Sequence, residues 1–139
     1  MFMEPFCKYL TNIMPLSDKG LKAIMEKLKR CEYDKNYLLI PELAKCENLY
    51  FIEKGLVRAY YFKDGKEITD WFGLENTLFG PVVRNFPIKD SIHSVELLET
   101  STFTYISFAD LQQLYNEHHE IERLGRLIAI HTIILLQQK

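Results

Sequence analysis

Residues Leu49–Gly80, LYFIEKGLVRAYYFKDGKEITDWFGLENTLFG, decide the fold. Leu49 to Ile52 is a short apolar run, Lys54-Gly55 a turn, and Leu56 to Phe62 a run rich in β-branched and aromatic residues. Lys63-Asp64-Gly65-Lys66 is the strongest hairpin signal in the chain. Both central positions of such a turn need φ > 0, which is cheap for Gly and tolerable for Asp. Glu67 to Phe72 returns as the partner strand. Alternation agrees with the pairing, since Val57, Ala59 and Tyr61 fall on one face and Arg58, Tyr60 and Phe62 on the other. Thr77 to Gly80 reads as a short strand ending on a residue free to take unusual φ.

Working outward, Ser17 can cap a helix expected from Asp18 to about Cys31, with Asp18 suiting its positive end. Leu21, Ile24, Met25 and Leu28 give this helix an apolar face, and Cys31 one turn on reads as a small buried residue. Tyr33 to Ile40 is a polar turn leading into a strand that Pro41 ends. Downstream, the two prolines of Pro81 to Asp90 argue against a full helix and for a loop or a single turn. Ser91 to Leu98 alternates in part, with His93, Val95 and Leu97 together, and Thr102 to Ile106 is a last strand. Ser107 then opens a helix with Leu111, Leu114 and Tyr115 on its apolar face. His118-His119 marks a joint, and Glu120 to Gln138 is the longest helical pattern, roughly 28 Å at ~1.5 Å per residue.

The 139 residues are 47% hydrophobic and 13% aromatic, enough for one domain spanning residues 1–139 with a real core. A formal charge of −2 supplies no basic surface for a phosphate backbone. Cys7, Cys31 and Cys46 are odd in number and lack Cys-x-x-Cys spacing, which suits a reducing compartment and argues for a cytoplasmic protein. Neither a signal peptide nor an apolar run of the ~18 residues needed for a membrane span is visible. Of the four histidines, only His93 falls on the sheet, and His-x-His pairs, nucleophile elbows and glycine-rich phosphate loops are lacking, so an enzyme is not expected.

On the terminal helix, Ile121, Leu124, Ile128, His131 and Leu135 recur at spacings of three and four, the seam of a coiled coil. Leu127, Ile130 and Ile134 widen the apolar surface beyond one contact. Each Leu or Ile left in water forfeits ~1.5–3 kcal/mol, so a homodimer through this helix is expected. His131 would then face its symmetry mate, and charging both copies below the imidazole range would loosen the pair.

The run YFIEKGLVRAYYFKDGKEITDWF followed by Phe79-Gly80 resembles the N-terminal effector domain of Crp/Fnr-type transcription regulators. That resemblance implies an α+β fold, an antiparallel, jelly-roll-like β-roll flanked by an N-terminal helix and a long dimerising C-terminal helix. It places a ligand pocket at the roll interior near Phe79, Gly80, Arg84, Ser91, His93, Ser94 and Gln137. Cyclic-AMP binders of the family follow the Gly with a Glu and later carry an Arg for the cyclic phosphate. Here Pro81 occupies the Glu position and Asp90 or Ser91 the Arg position, and an Asp repels an anion. The resemblance therefore implies an effector-sensing domain that does not take cyclic AMP, with no cofactor and an unidentified small-molecule effector. DNA contact would come from a helix-turn-helix domain, a pattern not present in residues 1–139. The alternatives are a genuine cyclic-nucleotide module, a cupin-like metal enzyme, and a haem or iron–sulfur sensor for which the three scattered cysteines are poorly spaced.

Overall fold

The computed structural model describes residues 4–80 and 93–138. Two helices, α1 (Glu4–Ile13) and α2 (Asp18–Met25), precede the strands β1 (Lys29–Tyr33), β2 (Leu38–Ile40), β3 (Asn48–Lys54), β4 (Val57–Lys63), β5 (Lys66–Gly73) and β6 (Leu78–Phe79). After them come β7 (Ser94–Leu97), β8 (Ser101–Ser107), α3 (Phe108–Glu117) and α4 (His119–Gln137). The strands form two four-stranded sheets, ordered β1-β8-β3-β6 and β2-β7-β4-β5. Every pairing is antiparallel, so the expected α+β roll is what the chain builds.

The Asp-Gly turn closes the β4–β5 hairpin as its chemistry requires, with Asp64 at φ 53° and Gly65 at φ 77°. Lys63 then pairs with Lys66, and the register runs back to Val57 opposite Gly73. It slips once between Ala59 and Tyr60, which face Trp71 and Thr69, leaving Asp70 as the extra residue of a bulge. Val57 and Ala59 point into the roll and are fully buried. Arg58 points outward, bonded to Glu96 (Nε to Oε1, 3.0 Å), Glu67 and Thr69, with its guanidinium 4.2 Å over the Tyr60 ring.

Strand β3 divides the interior into two cores, because its alternate residues face opposite layers. Leu49 and Phe51 face the helices and join Phe6, Leu10, Ile24, Ile106, Leu111 and Leu114. Ile52 faces the second sheet and joins Ile40, Val57, Ala59, Val95, Leu97 and Phe103. On the helix-side face, Glu53 is anchored by Arg30 Nε at 2.8 Å and by the buried Thr104 hydroxyl at 2.9 Å.

Both expected N-caps form. The Ser17 hydroxyl accepts from the Gly20 amide at 3.0 Å and the Ser107 hydroxyl from the Asp110 amide at 3.1 Å. Ser17 also donates through its amide (2.8 Å) and hydroxyl (2.9 Å) to Glu120, tying the start of α2 to the start of α4. His118 ends α3 with extended backbone, and α4 begins at the next residue.

Two expectations need correction, and one helix is new. The helix read from Asp18 to Cys31 stops at Met25, and Cys31 belongs to β1, opposite Phe103 of β8. Lys29, Arg30 and Glu32 look alike as an outward helix face or as the solvent side of a strand, and pairing with β8 decides between them. Helix α1 was not expected at all. Lastly, Ile121 (2%), Leu124 (3%) and Ile128 (6%), assigned to a partner-facing seam, are buried in the chain's own helix-side core.

Candidate functional site

The inner wall of the roll is aromatic. Tyr50 is its hub, its ring 5.4 Å from Phe79 at 20°, 5.6 Å from Tyr105, and 5.8 Å edge-on to Phe103. Trp71 lies 5.6 Å from Phe79. Phe103 is fully buried and forms the floor, while Tyr50, Trp71 and Phe79 are half-buried. Beside them, Tyr33 stacks flat on Tyr37 with centroids 4.0 Å apart. Cys31 and Cys46, both half-buried, pack against the same cluster, and the Cys46 thiol donates to the Asn48 carbonyl at 3.2 Å. The Asn48 amide donates to the Tyr50 hydroxyl at 3.2 Å.

Burial governs the protonation of this wall, because it disfavours the charged form of a thiol or phenol. It pushes Cys31 up, against a hydrogen bond with Tyr33 that lowers it, and pushes Cys46 up against the Asn48 bond. It also raises Tyr50, and takes Tyr33 to about 12 with help from the neighbouring Cys31 and Tyr37. Thiols and phenols here are thus protonated, donors of hydrogen bonds and poor nucleophiles. Among the described residues, no group of three His, Cys, Asp or Glu side chains could hold a metal ion.

Of the pocket residues expected from the sequence, Phe79 lies on this wall. Gly80 takes φ 118°, and a Cβ there would run into the Asn48 carbonyl oxygen, so glycine is required at the end of β6. His93 is bonded to Asp70 of the bulge (Nε2 to Oδ2, 2.8 Å), its ring 5.5 Å edge-on from Tyr61. Ser94 is buried and pairs with Tyr60. Gln137 is exposed in the last turn of α4. Arg84 and Ser91 lie outside the described residues, as do Pro81 and Asp90. Tyr50, Cys31 and Cys46 were missed as wall residues. The alternation of β3 separates Tyr50 from Phe51 and could have found the first, whereas the cysteines carry no pattern of their own.

The second feature is the outer half of α4. Ile130 (46%), Ile133 (53%), Ile134 (46%) and Leu135 (50%) are exposed together, with His131 and Thr132 between them. No described helix is long and apolar enough to cross a membrane.

A two-sheet antiparallel roll with helices before it and a long helix after it is the cyclic-nucleotide-binding-like fold of Crp/Fnr-type regulators. Solved structures of that kind superimpose on most of this chain. A cyclic nucleotide-binding domain from Methylobacillus flagellatus gives a TM-score of 0.78 at 16% identity over 99% of this chain and 77% of its own. The sensor domain of the transcriptional regulator DNR from Pseudomonas aeruginosa gives 0.76 at 14% identity, covering 99% of this chain and 90% of that one. The Thermus thermophilus catabolite activator protein gives 0.74 at 16% identity over 94% of this chain, which spans only 59% of that protein's length. Identities this low establish the shared fold. No protein-family model and no curated protein sequence matches the chain.

Proposed function

We propose that this chain is the effector-sensing and dimerising regulatory domain of a Crp/Fnr-type transcription regulator, acting in the cytoplasm, with an effector other than cyclic AMP. The observation that carries the reading is the division of α4. Its first half is locked into the domain, and its second half presents four aliphatic side chains to water, a surface with no use in a monomer. A homodimer through Ile130, Ile133, Ile134 and Leu135, with His131 and Leu135 kept from the expected seam, makes α4 the element that joins two sensors. DNA would be contacted by a helix-turn-helix domain outside residues 1–139. That the neighbouring structures are named as regulatory and binding domains fits a protein that is not an enzyme.

Against cyclic AMP stands the resemblance, by which Pro81 falls where the family's binders carry a Glu and Asp90 or Ser91 where they carry an Arg. Arg58, the guanidinium of β4, is committed on the outer face to Glu67 and Glu96 and does not serve the interior. The second reading, a genuine cyclic-nucleotide module, has in its favour the description of the Methylobacillus structure as such a domain. Calorimetric titration separates the two. Our reading predicts no binding heat with cyclic AMP or cyclic GMP at micromolar concentration, and saturable heat with either would replace it by the second reading.

A further inference from the structure

The helix-side core is not completely filled. A cavity of about 30 Å³ lies where the four helices meet β3 and β8, on the opposite side of β3 from the roll interior. Phe6 and Leu10 wall it from α1, Ile24 from α2, and Ile121, Leu124 and Ile128 from α4. All six are at most 6% exposed, so the walls themselves are core.

Two features that cost stability coincide there. Close-packed interiors leave few voids larger than a water molecule, because a void takes contacts away from every side chain around it. Gly125 also lies on the cavity wall, inside the 19-residue α4, where only proline is a poorer helix former. A Cβ at Gly125 would run into the Tyr115 hydroxyl, so α3 rests directly on the α4 backbone while the space beside it stays open. Departures from packing and from propensity at one place are characteristic of functional positions.

Polarity and size define what fits. A buried water needs about two to four polar partners. Tyr115 carries the only polar side-chain atom among the described lining residues, and backbone groups within helices and strands are already bonded to one another. Water is therefore a poor occupant. A water-sized sphere takes roughly 10–15 Å³ and benzene enters cavities of about 150 Å³, so this space suits a few heavy atoms and not a ring.

We propose that the helix-side core binds an uncharged apolar molecule of about two or three heavy atoms, seated between α1 and the inner half of α4. Because Ile121, Leu124 and Ile128 form one wall, the occupant braces that half of α4. The site is separate from the roll interior and depends on neither the effector nor the regulatory reading.

Xenon, inert and of similar bulk, is the probe, read by methyl NMR of the full chain under rising xenon pressure. Methyl groups of Leu10, Ile24, Leu111 and Ile128 shift saturably, while those of Val57, Val95 and Leu97 in the roll core stay in place. Benzene leaves the wild-type methyls unmoved and shifts the same helix-side set in Leu124→Ala, which enlarges the space. Far-UV circular dichroism checks that the variant folds, and the wild-type xenon comparison stands without it. No saturable shift, or equal shifts in both cores, overturns the site. A folded Leu124→Ala chain that still excludes benzene overturns its location, and benzene shifts in the wild type overturn the size class. Magnetisation transfer from water to the helix-side methyls overturns its apolar character.

Discussion

The two halves of α4 are built from the same side chains and meet opposite fates. Ile121, Leu124 and Ile128 lie against α1, α3 and β3 in the helix-side core, whereas Ile130, Ile133, Ile134 and Leu135, within the next two turns, face water. Helical spacing of Leu and Ile identifies an apolar stripe but not what covers it. Here the domain supplies the cover for the first half and runs out at Ile128. The first half therefore belongs to the stability of the domain, and the second is free to serve association.

Truncations on either side of that boundary give the largest contrast. Leu124→Ala removes a buried side chain among Phe6, Ile24 and Leu114 and is expected to cost about 2–5 kcal/mol. Leu135→Ala, measured by the same urea titration at low protein concentration, is expected to stay within about 0.5 kcal/mol. Equal losses would erase the division. Next in size, Ser17→Ala deletes the α2 cap and the hydroxyl donor to Glu120 while keeping the amide donor, so unfolding shows a loss of about 0.5–2 kcal/mol. A loss no greater than that of an exposed polar residue would mean that the inner half of α4 is not anchored through this contact.

The smallest effect is confined to alkaline pH. Tyr115 on α3 is pushed from its ordinary 10.0 up to about 12, by burial first and by the charge of Glu122 on α4 second. The folded state thus keeps a proton that the unfolded chain gives up, so the stabilisation is complete below pH 10 and is lost as pH rises through about 12. Tyr115→Phe should flatten the decline of stability in that window, and an unchanged slope would show that Tyr115 does not couple α3 to α4 in this way.

Much of the fold was legible because its signals are local. The Asp64-Gly65 turn fixes a hairpin by φ alone, and Ser17 and Ser107 cap helices by bonds to amides three residues away. Strand β1 was not legible, since Lys29 to Tyr33 acquires its conformation from β8, more than 65 residues on, where Cys31 meets Phe103. Of the wall, Phe79 was legible from the sequence, whereas Cys31 and Cys46 were not, since their place there follows from strand pairing and a loop approach rather than from spacing. The seam on α4 was read at the correct period and given to the wrong neighbour at Ile121, Leu124 and Ile128, because period carries no information about which surface arrives to cover a stripe.

Sedimentation equilibrium of the full chain beside its Ile130→Glu/Ile133→Glu variant tests the division most directly. Wild-type protein is expected to pass from monomer to dimer as concentration rises, and the variant to stay monomeric with an unchanged urea midpoint. A wild-type chain that is monomeric at every concentration, or a variant that dimerises as well as its parent, would contradict it.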